Sequence, residues 1–192
     1  MNDDALLIAK TLAGSGAAFG ELVLKYQDRL FNAVYYVVRS RTEAEDVVQD
    51  AFVRAYTKLR SFNQESSLYT WLYRIAMNGA ISRRRQRRPE QSVEQTRELL
   101  GDEPLDPGDL PEEQLERRER AAQVHEALGQ LAAEHRAILV LREMEGCSYE
   151  QIAEVLDVPV GTVRSRLHRA RLQLRDQLKA DFQEASGNPP SD

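Results

Sequence analysis

Apolar side chains recur at intervals of three and four along most of this chain, the spacing that lines one face of a helix with 3.6 residues per turn. A first helical hairpin begins after the turn residues Gly14, Ser15 and Gly16, and Phe19, Leu22, Val23, Tyr26, Leu30, Val34 and Val37 form its stripe. The next helix is predicted from Thr42, because Thr42 and Glu45 have capping-box spacing and Val48, Ala51, Phe52, Ala55 and Leu59 supply a buried side. That register turns Asp46, Gln49, Asp50 and Arg54 outward. Ser67 is placed to cap a third helix whose core side is Leu68, Leu72, Ile75 and Ala76. Of the aromatic residues between them, Tyr69, Trp71 and Tyr73, some must lie toward solvent or at the boundary, unless Trp71 and Tyr73 are partly buried core residues of a small bundle.

From Pro89 to Glu119 the pattern breaks down. Pro89, Pro104, Pro107 and Pro111 fall among Gly101, Gly108 and many acids, the composition of a linker rather than a packed element. It reads either as a solubilising tether or as an acidic segment that occupies a basic groove of a partner. Helical spacing returns near Arg120 with Val124, Leu128 and Leu131, and again with Ile138, Leu139 and Leu141. Ser148 and Gln151 then form a second capping box ahead of Ile152, Ala153, Val155 and Leu156, and a turn over 157–161 leads into a long helix. On a wheel of that last helix, Val163, Leu167, Ala170, Leu174 and Leu178 share one sector, Ser165 and Arg169 stand opposite, and Arg164, His168, Arg171 and Arg175 form a flanking row. A short helix, a turn and a second helix with a basic outer face describe a helix-turn-helix. With no strand run in sight, the expected fold class is all-α. It comprises two small helical domains, 1–88 and 120–183, joined by an acidic flexible linker over 89–119 and followed by a disordered tail over 184–192.

Charge first argues against a nucleic-acid partner and then for one. The 192 residues carry a formal net charge of −5, yet residues 90–119 hold 11 acidic and 3 basic side chains, a local net of −8 that leaves +3 for the remainder. The basic clusters elsewhere remain available to phosphates. A single cysteine, Cys147, excludes an internal disulfide and fits a reducing compartment. Short apolar runs and Asp3 and Asp4 near the start argue against a secretion signal or direct membrane insertion, so the expected location is cytoplasmic. His125, His135 and His168 lack the neighbours of a metal site, and no glycine-rich phosphate loop or nucleophile motif is present. An enzyme, a cofactor and a small-molecule substrate are therefore not expected.

The chemistry concentrates in two places. Tyr69, Trp71 and Tyr73 lead into Arg83, Arg84, Arg85, Arg87 and Arg88. Rings stack on bases and guanidinium groups neutralise phosphates, so rings set just ahead of arginines suit a protein that holds bases already drawn out of a duplex. In the last helix, the planar fork of arginine can bond a guanine edge or a phosphate in bidentate fashion. Acids are nearly absent from Val160 to Arg175, so these arginines are not supplied with partners on their own helix. Two rival classes share some of these features. One is a dimeric helix-turn-helix regulator that binds palindromic duplex, and the other is a helical adaptor whose arginines meet acidic protein surfaces.

Three motifs together, Asp46-Val47-Val48-Gln49-Asp50-Ala51-Phe52, Tyr69-Thr70-Trp71-Leu72-Tyr73-Arg74-Ile75-Ala76 and Pro159-Val160-Gly161-Thr162-Val163-Arg164-Ser165-Arg166, resemble the bacterial RNA polymerase sigma factors of the extracytoplasmic-function group. The likeness covers roughly Phe19 to Leu178, with both domains in the family's order. It implies a helical-bundle region 2 and a helix-turn-helix region 4. By that resemblance Asp46, Gln49, Asp50 and Arg54 would contact core RNA polymerase. Phe62, Asn78 and the loop before Leu68 would read melted −10 bases, with Tyr69, Trp71 and Tyr73 at or beside the melting surface and Arg83, Arg84 and Arg85 on the backbone. Arg142, Thr162, Arg164, Ser165, His168 and Arg169 would face the −35 duplex, His168 being a departure because close relatives can carry an aromatic there. The resemblance also implies an anti-sigma factor as a partner, beside core polymerase and promoter DNA, and no catalytic chemistry.

Overall fold

The computed structural model describes the backbone of residues 3–63, 66–86 and 111–185, and the side chains of 3–63, 66–83 and 120–180. Among the described residues there are eight α-helices and no strand: α1 Asp3–Leu12, α2 Gly16–Val38, α3 Arg41–Lys58, α4 Leu68–Gln86, α5 Pro111–Gly129, α6 Ala133–Leu139, α7 Tyr149–Leu156 and α8 Val160–Ala185. A 3₁₀ turn, Leu59–Ser61, extends α3, and a π turn, Val140–Met144, extends α6.

The boundaries follow from local chemistry. Gly14 takes φ 102°, a left-handed conformation that suits glycine, and Ser15 then caps α2 by accepting the Ala18 N–H. That helix ends where Arg39 enters the left-handed region at φ 60° and donates its N–H to the Tyr35 carbonyl at 2.7 Å. The next cap is Ser40, whose hydroxyl accepts from the Glu43 N–H. This corrects the expected start at Thr42: the chain re-enters helical geometry immediately after the left-handed residue, and Glu45 pairs with Arg41 one turn away instead of serving the cap. Ser67 does cap α4, accepting from the Thr70 N–H at 3.1 Å.

A second correction concerns the linker. Residues 111–119 are helical and begin α5, with Pro111 at the first helical position, where its fixed φ fits and its missing N–H is not needed. Residues 87–110 and 186–192, which hold Arg87, Arg88, the rest of the expected linker and most of the expected tail, lie outside the described residues.

Helices α2, α3 and α4 pack against one another and α1 lies on α2, while α6, α7 and α8 assemble around Ile138, Leu141, Ile152, Val155, Val163 and Leu167. Each such side chain, fully buried, contributes on the order of 1.5–3 kcal/mol. The two groups of helices share one apolar cluster, because α7 rests on α4 and α6 reaches both α2 and α4. The structure decides between the two sequence readings of α4: Trp71 and Tyr73 are 6% and 1% exposed, core residues and not part of the solvent-facing side. Trp71 stands three residues after Leu68 and continues the buried stripe of Leu68 and Leu72. Tyr73, Met77 and Ala80 form a further buried side of the same helix, and a helix apolar on more than one face is a buried helix. Val124, expected in the core, is 41% exposed, and Ala127 and His125 take the inward positions of α5.

Candidate nucleic-acid interface

The helix-turn-helix is built from backbone chemistry outward. Ser148 and Gln151 form a reciprocal capping box, the serine hydroxyl accepting the Gln151 backbone N–H at 3.2 Å and the Gln151 side-chain Oε1 accepting the Ser148 N–H at 2.8 Å. Asp157, left-handed at φ 52°, ends α7. The Pro159 carbonyl then accepts the N–H groups of Thr162 and Val163 and starts α8. Val163, Leu167 and Ala170 are buried, which fixes the rotation of α8 and leaves Arg164, Ser165, His168 and Arg169 exposed and Thr162 at the boundary. Five of the six residues expected to face the duplex are thus brought onto one helix face. The sixth, Arg142, is half-buried on the preceding π turn, where it donates to the Cys147 carbonyl at 2.8 Å and lies 5.2 Å from the centre of the Tyr149 ring. Arg171, one of the flanking row, is held by Glu143 through two hydrogen bonds of 2.9 and 2.6 Å.

In the N-terminal helices, Asp46, Gln49, Asp50 and Arg54 are all exposed on α3. Arg83 of α4 reaches back to this face and pairs with Asp46 and Asp50, so two groups expected to serve different partners touch each other. Beside them, a groove of about 730 Å³ runs between α2 and α3, walled by Phe19, Val23, Phe31, Phe52, Val53 and Tyr56. Sequence reasoning missed it. The available signal was that Val53 and Tyr56 each follow a buried position, which widens the apolar arc of α3 beyond what its own core needs.

Phe62 is half-buried against Trp71, with ring centres 5.2 Å apart, and Asn78 is exposed. Tyr69 has two ring contacts: the Tyr26 ring stacks at 5.4 Å and the Arg29 guanidinium lies over it, 4.0 Å from its centre. Its hydroxyl meets that of Tyr73 and donates at 2.7 Å to the Glu145 carboxylate, which also accepts from Arg29 Nε at 2.8 Å. Burial, ahead of the neighbouring groups, raises the pKa of both phenols, so they remain protonated donors. Arg84 and Arg85 belong to the α4 backbone, but their side chains lie outside the described residues.

A second polar cluster joins the two groups of helices at the end of α2. Arg136, 2% exposed, donates to the carbonyls of Val37, Leu131 and Gly129 at 2.7, 2.8 and 3.2 Å, a cation seated on a helix C-terminus. His125 stacks on Tyr35 with ring planes 9° apart, and Arg39 pairs with Glu126 at 2.7 Å. Burial, reinforced by Arg39 and Arg136, lowers the His125 pKa to about 4. Cys147, half-buried near Glu145 and Arg29, has its thiol pKa raised, by burial first and by Glu145 next.

Comparison with known proteins follows the same division. The family descriptions "Sigma-70 region 2" and "Sigma-70, region 4" match residues 22–90 and 121–174. The chain is 42% identical to the RNA polymerase sigma-H factor of Pseudomonas aeruginosa over 95% of its own length and 97% of that protein. It is 37% identical to the ECF RNA polymerase sigma-E factor of Haemophilus influenzae over 92% and 95%. The chain belongs to the extracytoplasmic-function sigma factors.

Solved structures similar to this sigma factor include CnrH in complex with the cytosolic domain of CnrY, with a TM-score of 0.68, 30% identity and coverage of 94% and 99% of the two chains. Another is RpoE of Bartonella quintana in complex with the anti-sigma factor NepR, with a TM-score of 0.62, 28% identity and coverage of 85% and 98%. No helix of the sigma factor, among the described residues, is long and apolar enough to cross a membrane.

Proposed function

We propose that this sigma factor binds core RNA polymerase in the cytoplasm and directs promoter-specific initiation, with residues 1–88 and 120–183 acting as its two promoter-reading domains. The observation that carries the reading is the exposed face of α8, where Arg164, Ser165, His168 and Arg169 stand together on the second helix of a helix-turn-helix, in a chain that also carries the region 2 signature. These residues, with Thr162 and Arg142, read the −35 duplex. Asn78, Phe62 and the segment before Leu68 take up melted −10 bases, Tyr69 lies beside them, and Trp71 and Tyr73 support that surface from the core. Arg83, Arg84 and Arg85 grip the backbone, and the outer face of α3, with Asp46, Gln49, Asp50 and Arg54, meets the polymerase.

No covalent chemistry is required. Each stacked base contributes on the order of 1–3 kcal/mol, comparable to the few kcal/mol that extruding a base costs, so capture of unstacked bases offsets much of the opening. By likeness to the Bartonella protein, whose structure contains an anti-sigma factor, an anti-sigma factor is the expected regulatory partner. Run-off transcription from a genomic library, with purified chain and core polymerase, is the test. Chain-dependent transcripts that share upstream elements near −10 and −35 are expected, and their absence in the presence of active core overturns the reading.

A further inference from the structure

Elements named −35 and −10 lie about 25 base pairs apart, roughly 85 Å of duplex at about 3.4 Å per pair. A chain of 192 residues packed as one body has a radius of gyration of about 16 Å and a diameter of roughly 40 Å. With α7 resting on α4, the two reading surfaces of the proposed function cannot both reach their targets. The packed arrangement is therefore a closed state that has to be undone, and the contacts that hold it determine how readily.

We propose that Glu145 is the latch of this closed state, an internal carboxylate that holds the C-terminal helices against Tyr69 and Arg29 until a partner displaces it. The inference rests on the functional reading above. Its side chain is 8% exposed, unusual for a glutamate, and both partners come from the other group of helices. The backbone is shaped to deliver it. The π turn over Val140–Met144 ends with the Glu145 N–H donating to the Val140 carbonyl at 3.1 Å, and Gly146 follows at φ 66°. Such one-turn departures from α geometry cluster at functional positions.

The receiving side is equally ordered. Tyr69 contacts the Tyr26 ring and the Arg29 guanidinium, and the Tyr73 hydroxyl, 2.5 Å from that of Tyr69, also lies 3.3 Å from the Arg29 carbonyl. While Glu145 is bound, Arg29 covers one face of the Tyr69 ring and the carboxylate occupies its hydroxyl, so the ring is closed to a base. Release of Glu145 frees Arg29 to move. A second set of contacts, the His125–Tyr35 stack, the Arg39–Glu126 pair and the buried Arg136 guanidinium on the Val37 carbonyl, also joins the two groups. At the Glu145 end a largely buried carboxylate accepts from two donors of the other group, a charge-assisted class of hydrogen bond that is strong when made and costly to leave half-made.

Small-angle X-ray scattering of the full chain without polymerase tests the latch. The wild type is expected to scatter as a compact body, whereas Glu145→Ala and Tyr69→Phe shift the closed-to-open ratio roughly tenfold toward extended forms with circular dichroism unchanged. The reversed pair, Arg29→Glu with Glu145→Arg, is expected to restore compactness that each single change loses. Added to core polymerase, Glu145→Ala is expected to form open promoter complexes faster than the wild type. An extended wild type, or a folded Glu145→Ala and Tyr69→Phe that both scatter as the wild type does, overturns the latch. Loss of initiation by the wild type removes the functional reading instead and leaves the scattering result standing.

Discussion

His125 combines a titratable ring with an interior position, and its surroundings decide the sign of its effect. The ring stacks on Tyr35, with Arg39 and Arg136 as nearby cations and Glu126 as the opposing charge. Folding lowers its pKa from 6.5 to about 4, so between those values the unfolded chain binds more protons than the folded one. Stability then rises with pH through this window and is lost as pH falls from about 6.5 toward 4. Urea denaturation at pH 7 and pH 5 is expected to give a larger loss for the wild type than for His125→Phe, which keeps an aromatic ring on Tyr35 but cannot titrate. Equal losses would mean that other groups carry the acid sensitivity. The sequence says of this residue only that it lacks the neighbours of a metal site, because its spacing carries nothing of Tyr35, 90 positions earlier.

At the scale of the element, α8 was the most legible part of the chain. Its apolar sector is buried at Val163, Leu167 and Ala170 and half-buried at Leu174 and Leu178, and the opposite residues Ser165 and Arg169 are exposed. A regular amphipathic pattern needs no knowledge of distant sequence. Exchange of Arg169 for alanine in holoenzyme is expected to weaken −35 binding and, where the guanidinium meets a phosphate, to reduce the dependence of log affinity on log salt by about one. A filter-binding series across salt concentrations reads both, and an unchanged slope would assign Arg169 to a base edge or to no contact. Helix α4 was less legible for a physical reason. Of the core side read from the sequence, Leu68, Leu72 and Ala76 are buried and Ile75 partly so, but Tyr73, Met77 and Ala80 are buried as well, on a helix that also packs against elements more than 50 residues later. Periodicity reports how many faces a helix buries only when the covering element is already known. The α3 cap at Ser40 was missed because it depends on the left-handed Arg39 before it.

At the scale of the whole molecule, what the pattern could not convey is how the two groups of helices meet. Arg29 and Glu145 are 116 positions apart, and Arg136 and Val37 are 99 apart. Nothing in local spacing pairs them, whereas family likeness supplied the order and role of the parts without their arrangement. The arrangement leaves one useful atom at its edge. Cys147 stands two residues beyond Glu145, and Arg29, across the interface, is among the charges that act on its sulfur. Since this is the sole cysteine among 192 residues, the molecule carries its own clock. Maleimide should alkylate the thiol slowly in the isolated chain and several-fold faster once the halves part, as burial is what keeps the thiolate scarce. Following that modification by mass spectrometry as core polymerase is added would time the parting directly, with no dye or engineered attachment point. A rate indifferent to polymerase would place the sulfur outside the moving boundary.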